Sequence, residues 1–461
     1  MVIKRDLERL CVELFELNAI FKFKNFKIND YLARKIISSK YENSNLLDNK
    51  LVSKIGIPVK NSNYSKLFNL KIPKISTLLV ISHFIINLTF KKSRKEKSIK
   101  NVYGFSLTSE QINFKNLKQL EYFLTVKLNL ESNSRIYIQT KEPWRSRGTK
   151  NLKLTPFNPT SIILNSGVSR RKILVSFFFS VLKLYKNLNK YPVLELLGIE
   201  NLIEAIALEF DCVTSSDILF TTQSQLLIQP PIFTTSTSNK LMLWYSENSR
   251  PIIKKHLPTQ SNSFLDFLTI ANIDKHLVWT EQYAQYLKDN YQVNAKAIGS
   301  MVFYLNNERV KKNTQNLLIF DVTPINHSTE LNFYSEKALM EFLADIVKAN
   351  SEISVPYDLQ IKPKRKYQKI HSHLYINFVQ NLIKNNNLKM LETNANLYDI
   401  IRDAKGVICI PYTSPALIAN ELNTPVIYYY PNSNFDMYED LNNITLITNQ
   451  HSLKSWLNAN S

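Results

Sequence analysis

The sequence predicts an α/β protein of doubly wound parallel sheets, in two domains behind an N-terminal extension. Three observations support this. The chain has 461 residues and is 44% hydrophobic, too long for one simple core and apolar enough to fill two. Short apolar runs that end in polar turns alternate with stretches of helical periodicity. The resulting βαβ order, clearest after Lys275, is that of a sheet with helices on both faces.

In order along the chain, Asp6 to Phe21 carries helical apolar spacing through Leu7, Leu10, Leu14 and Leu17. An Asn-, Lys- and Ser-rich stretch to about Pro73 follows, with few signals. "SRIYIQT" from Ser134 alternates as a strand does. "KILVSFFFSVLKLY" from Lys172 and "LLGIENLIEAIALEF" from Leu196 are helices. "DILFTTQSQ" from Asp217 and "KLMLWYSENSRP" from Lys240 are strands running into polar turns. "KHLVWTEQYAQYLKDNY" from Lys275 is a strand entering a helix, and "NAKAIGSMVFY" from Asn294 a strand and turn. "QNLLIFDVTP" from Gln315 is a strand, and Ser335 opens a helix with half of a capping box. "YDLQIKPKRK" is a strand ending in cations, and "LYDIIRDA" from Leu397 is a helix. "GVICIPYTSPALIANELNTPVIYYYP" from Gly406 reads strand, turn, helix, strand. "ITLITNQHSLKSWLNA" closes with a strand and a helix.

The net charge is +20, and residues 1–100 hold 21 Lys and Arg against 8 Asp and Glu. That basic first fifth is either a solvated Lys-rich face or a docking surface for an anionic partner. The run Lys91 to Lys100 contains no aromatic residue, which argues against a nucleic-acid module. Leu78 to Phe90 is apolar but shorter than a membrane span and contains His83 and Asn87. No secretory signal is read at the start. Cys11, Cys212 and Cys409 are widely spaced, which fits a cytoplasmic chain without disulfides or a zinc site. His371 and His373 form only a weak metal signal. No GxGxxG, Walker or GxSxG motif occurs, nor an Asp-x-Asp metal clamp.

In doubly wound sheets ligands sit outside the carboxyl ends of the strands. Three such ends carry polar groups: Asp321-Val322-Thr323, then Lys362-Pro363-Lys364-Arg365, then Tyr412-Thr413-Ser414. Pro415 suits the first turn of a helix whose N–H groups would face an anion. Lys362, Lys364 and Arg365 would supply charge to a diphosphate, and Glu421 an acceptor for ribose hydroxyls. Taken singly, Thr413-Ser414 is an N-cap, the cation run a solvated loop and Glu421 a surface residue. Their grouping at successive strand ends favours phosphate binding.

"VWTEQYAQYLKD", "LIFDVTP", "LQIKPKRK" and the Gly406–Pro431 stretch follow in an order that resembles a family of bacterial surface-polysaccharide biosynthesis proteins, itself similar to GT-B glycosyltransferases. The likeness runs from about Ile99 to the C-terminus and is most specific from Lys275. That family's Phe-Thr-Ser-Thr-Ala turn is here Tyr412-Thr413-Ser414-Pro415-Ala416, so one hydroxyl is replaced by proline. The resemblance implies two Rossmann-like domains facing across a cleft: an acceptor domain over 99–270 and a nucleotide-sugar-binding domain over 271–461, with 1–98 as a basic extension. It implies a metal-independent glycosyltransferase that takes a nucleotide-sugar as substrate, needs no cofactor and extends a glycan or lipid-linked acceptor. Separately, and from charge alone, the basic extension 1–98 would allow peripheral contact with the inner membrane, where lipid-linked acceptors lie. Glu247 and Asp321, in strand-end turns, are candidates for the catalytic base. A transferase of polyol phosphates from a CDP-linked donor is the alternative enzyme, which the Ser-rich turn and "TPVIYYY" also fit. A non-enzymatic basic binding module is the third reading.

Overall fold

The computed structural model describes short pieces of 16–88, part of 101–254, and most of 272–460 apart from 301–313, 327–332, 365, 394, 432–434 and 438–442. Leu7, Leu10, Cys11, Leu14, Lys91 to Lys100 and Arg365 lie outside the described residues.

The chain forms two compact units. One contains residues 1–243, 266–277 and 290–294, and the other 244–265, 278–289 and 295–461. The first is built on β1 (Asn101–Leu107), β2 (Arg135–Thr140), β3 (Arg147–Gly148), β4 (Lys153–Pro156), helices α1 (Arg170–Leu188) and α2 (Gly198–Glu209), β5 (Ile218–Thr222) and β6 (Asn239–Leu243). The short strand β7 (Ile252–Lys254) follows, then β8 (Lys275–Val278), α3 (Glu281–Tyr291) and β9 (Ala295–Ala297). One sheet has the order β3-β4-β2-β1-β5-β6-β8-β9. Its pairs β4–β2, β2–β1, β1–β5, β5–β6 and β6–β8 are parallel, and β3 is antiparallel to β4. The strand at Lys275 thus belongs to this sheet although it lies beyond residue 270.

Residues of the first hundred take part in this unit's core. Leu17, Phe21, Tyr31, Leu32, Phe84 and Leu88 are buried with Ile173, Phe177, Leu202 and Ile206 of the two helices. The basic segment therefore contributes side chains to the packing as well as charge.

The second unit is a complete doubly wound sheet. Its elements are β10 (Asn316–Phe320), α4 (Glu336–Ser351), β11 (Asp358–Ile361), α5 (His373–Lys384), β12 (Lys389–Met390), α6 (Leu397–Asp403), β13 (Gly406–Cys409), α7 (Pro415–Glu421), β14 (Val426–Tyr429), β15 (Phe435–Met437), β16 (Thr445–Ile447) and α8 (Gln450–Asn460). The order β12-β11-β10-β13-β14-β16 is parallel throughout. The chain builds outward from β10 in one direction, then returns to β13 and builds in the other, as in a Rossmann fold. Strands β7 and β15 form a separate antiparallel pair.

Alternation explains the two faces. Leu317 and Ile319 of β10 enter one core with Leu339, Phe342, Leu343 and Ile346 of α4 and Leu453 and Leu457 of α8. Leu318 and Phe320 enter the other with Tyr398 and Ile401 of α6 and Ala416 and Ile418 of α7. A strand buried on both sides must read as an unbroken apolar run, and "NLLIF" does. Ser335 caps α4 by accepting from the Ala338 N–H at 3.3 Å. Asn350 ties the end of α4 to β11, donating to the Tyr357 carbonyl at 3.0 Å and accepting the Tyr357 N–H at 2.9 Å.

Gly406 sits in a close approach of the sheet to α8. A Cβ there would lie 3.1 Å from both Leu317 Cδ1 and Trp456 Cη2. Gly406→Val is expected to cost about 1–3 kcal/mol through overpacking, read by chemical denaturation. An unchanged midpoint would mean that α8 is free to move away from the sheet.

Candidate active site at the strand-order reversal

Where strand order reverses, the turns leaving two neighbouring strands diverge and leave a crevice. In the second unit those strands are β10 and β13. Asp321, Val322 and Thr323 leave β10, and Ile410 to Ser414 leave β13.

Asp321 is 4% exposed. The hydroxyl of Tyr375, on the buried face of α5, donates to its Oδ2. Its Oδ1 has no hydrogen-bond partner. Burial raises its pKa to about 6, against the lowering effects of the Tyr375 hydroxyl, its own backbone N–H, Lys364 and Lys362. A carboxyl of that pKa changes protonation state close to neutrality.

Around it lie further polar groups. Thr323 Oγ1 and the Tyr367 hydroxyl are buried without hydrogen-bond partners. Burial pushes the Tyr367 pKa up, and the Asp321 charge adds to that. Lys362, just past β11, is buried; its Nζ donates to the Thr393 carbonyl at 2.9 Å and keeps two further N–H bonds to give. Burial lowers its pKa while Asp321 opposes the shift. Lys364 is exposed, and its charge acts on Asp321. Three buried polar atoms without a hydrogen-bond partner, Asp321 Oδ1, Thr323 Oγ1 and the Tyr367 hydroxyl, thus lie on the segments that follow β10 and β11.

The β13 turn is arranged differently from the sequence expectation. Tyr412 is buried with φ 62°, a left-handed conformation that costs a non-glycine residue about 1–2 kcal/mol. Tyr334 fixes the turn by donating to the Pro411 carbonyl at 3.0 Å. The Thr413 hydroxyl donates to the Ile410 carbonyl at 2.8 Å. The N–H groups of Ala416 and Leu417 donate to the Thr413 and Ser414 carbonyls, so these two do not face a ligand. α7 has only seven residues, and the Ser414 hydroxyl makes no capping bond. This edge therefore offers the Ser414 hydroxyl rather than a row of free amides.

The other expected residues are placed as follows. Glu247 is 2% exposed, with Oε1 accepting from the N–H groups of Trp279 and Thr280 at 2.6 and 2.8 Å and Oε2 from the Thr280 hydroxyl at 2.8 Å. It braces the turn between β8 and α3. Glu421, at the far end of α7, accepts from the Tyr398 hydroxyl at 2.6 Å. His371 is buried, its Nδ1 accepting from the Gln368 N–H at 2.9 Å, and His373 is exposed. Among the described residues no group of three His, Cys, Asp or Glu side chains is placed to hold a metal ion. The structure thus gathers Asp321, Thr323, Lys362 and Lys364 on neighbouring strand ends. Tyr375 and Tyr367, which the sequence reading did not single out, join them. Tyr375 lies on an ordinary apolar helix stripe with Val379, and nothing in that spacing shows its hydroxyl reaching β10.

Two Rossmann-like sheets, with a polar and cationic strand edge in the second, define the protein's class. The chain belongs to the family described as polysaccharide biosynthesis PFTS motif proteins, matched over residues 170–457, more than half of its length. The residues at the β13 turn here read Pro-Tyr-Thr-Ser, Pro411 to Ser414. No curated protein matches the chain in sequence. Among solved structures, TarM of S. aureus, in complex with UDP, is 14% identical, with 53% of this chain and 48% of that chain covered and a TM-score of 0.35. The pneumococcal O-GlcNAc transferase GtfA, in complex with UDP and GlcNAc, is 10% identical, with 78% and 90% covered and a TM-score of 0.43. The wall teichoic acid polymerase TagF, in a structure with CDPG, is 10% identical, with 84% and 88% covered and a TM-score of 0.40. The chain spans about half the length of the TarM chain.

The Asp321 environment predicts a stability signature. Its pKa of about 6 exceeds the ordinary 3.8, so the folded state binds more protons than the unfolded state between those values. Stability from this group is present below pH 4 and lost as pH rises through 6, by about 3 kcal/mol. Asp321→Asn is therefore expected to melt above wild type at pH 8, with the gap closing at pH 4. Equal melting at both would show that Asp321 is not desolvated. A second expectation concerns Glu247: Glu247→Ala costs about 2–4 kcal/mol by leaving the turn donors unpaired, while Glu247→Gln keeps most of the fold and of any activity.

Proposed function

We propose that the protein is a glycosyltransferase-type enzyme of polysaccharide assembly. It moves a sugar from a nucleotide-sugar donor to a glycan or lipid-linked acceptor. The observation that most supports this is the unpaired Asp321 Oδ1 at the β10–β13 reversal, beside Lys362 and Lys364. In this reading the donor diphosphate lies along the strand ends, against Lys364, the remaining N–H bonds of Lys362 and the hydroxyls of Thr323 and Ser414. The bond between the sugar's anomeric carbon and the β-phosphate oxygen breaks, the acceptor oxygen bonds to that carbon, and a nucleoside diphosphate leaves. Lysine charges stabilise the leaving diphosphate as its charge grows, which favours the transition state over bound donor. Asp321 is the proposed base: its anionic form takes the acceptor hydroxyl's proton, and a pKa near 6 keeps it mostly anionic at pH 7. Tyr375 holds the carboxyl by Oδ2 and leaves Oδ1 for that proton. The donor is a substrate, and the chemistry described requires neither a metal nor a cofactor.

The test is release of nucleotide from a panel of UDP-, GDP- and dTDP-sugars, with CDP-glycerol beside them. Sugar transfer releases a nucleoside diphosphate, whereas polyol-phosphate transfer releases CMP. Asp321→Asn is expected to lower kcat by at least about a hundredfold with donor binding kept, and Lys364→Ala to raise KM for the donor. CMP release from CDP-glycerol would move the assignment to the polyol-phosphate reaction. Full turnover in Asp321→Asn would remove the proposed base.

A further inference from the structure

Helix α1 is apolar on two opposite sides. Ile173, Phe177 and Leu184 are buried in the first unit's core. On the other side Val175, Phe178, Phe179, Leu182 and Tyr185 are 49%, 50%, 62%, 64% and 40% exposed. These five follow at spacings of three, one, three and three residues and make one continuous stripe down about three turns. Scattered exposed apolar residues are ordinary, but an aligned run containing two phenylalanines and a leucine is an interaction surface.

The charges on the helix itself are of one sign, and the acidic neighbour Glu16 at its C-terminal end is paired with Lys190 at 3.3 Å. α1 contains Arg170, Arg171, Lys172, Lys183 and Lys186 and no acidic residue. Arg171, Lys172, Lys183 and Lys186 are exposed. Arg170 anchors the neighbouring segment by donating to the Leu88 carbonyl at 2.9 Å. That segment also packs Phe84 on Phe177, ring centroids 4.6 Å apart, and exposes Ile86 at 55%. In sequence it leads directly into "KKSRKEKSIK", Lys91 to Lys100.

We infer that the exposed face of α1 docks the protein on an anionic lipid bilayer, with the helix lying in the plane of the headgroups. Among the described residues no helix is long and apolar enough to cross a membrane, so the contact is with one leaflet. A bilayer offers both properties this face needs in one layer: an apolar interior for the Phe178, Phe179 and Leu182 side chains, and negative headgroups for the cations at the helix ends and edge. A protein partner would have to combine a greasy groove with a ring of acidic side chains. This inference rests on α1 and is independent of the donor chemistry.

The test is flotation of the full-length protein with phosphatidylcholine vesicles, with and without phosphatidylglycerol. Wild type is expected to float with the anionic vesicles and to be released by salt. The triple variant Phe178→Ser/Phe179→Ser/Leu182→Ser is expected to bind at least about tenfold more weakly, with an unchanged melting temperature because the core face is untouched. Phe179→Glu alone gives a milder version of the same loss should the triple variant fold poorly. Arg171→Gln/Lys172→Gln/Lys183→Gln is expected to lose the preference for phosphatidylglycerol. Wild type that does not float, or a well-folded Phe179→Glu that floats as wild type does, overturns the inference. So does a stripe-dependent dimer of wild type that persists at the expense of vesicle binding.

Discussion

A carboxylate buried at the end of a central strand is the constraint on which the second unit's arrangement turns. Asp321 follows four apolar residues of β10 and is almost wholly withdrawn from solvent. A charge in that position needs support, and it comes from elements far apart in sequence: Tyr375 on α5, with Lys362 and Lys364 after β11. The support is incomplete, since Oδ1 is left unpaired. A protein selected only for stability would place an apolar side chain there. In the proposed mechanism that penalty is the cost of holding a proton acceptor near its working pKa.

The scaffold makes that possible. Parallel strands fed by crossover helices send every strand end to one edge, and the return from β12 to β13 opens that edge beside β10. Tyrosine hydroxyls then tie the loops to the frame. Tyr334 holds the Pro411 carbonyl, Tyr430 the Phe333 carbonyl at 2.9 Å, and Tyr357 the Leu457 carbonyl at 3.0 Å. Each ring fills apolar volume while its hydroxyl satisfies a carbonyl left over by a turn or, for Leu457, by the last turn of α8. Rigid strand-end turns result, and preorganised charge at such turns is what stabilisation of a leaving diphosphate requires.

Much of this was legible in the residue order. "NLLIF", "GVIC" and "VIYY" are continuous apolar runs, and only strands covered on both faces read that way. Asp321, Thr323, Lys362 and Lys364 were legible because polar residues directly after such runs must emerge at the sheet's edge. Tyr375 was not, because its partner lies 54 positions away and a tyrosine in an apolar stripe looks like core. The Tyr412 turn was also misleading. Pro415 announces a helix start, but the left-handed Tyr412 tightens the turn three residues earlier, and the N–H groups of Ala416 and Leu417, which the pattern suggested were free, donate to the Thr413 and Ser414 carbonyls. Glu247 looked like Asp321 in sequence, an acid after a strand, yet its two oxygens are engaged by the β8–α3 turn. Local pattern locates an acid at a strand end; its partners, which come from distant segments, decide what it does.

The most direct measurement is hydrogen–deuterium exchange of the full-length protein with and without nucleoside diphosphates and their sugars. At least one nucleotide is expected to slow exchange in 320–326, 362–371 and 411–418, the turns leaving β10, β11 and β13. Protection elsewhere alone, or none at saturating concentration of every nucleotide, would contradict a donor site at the strand-order reversal.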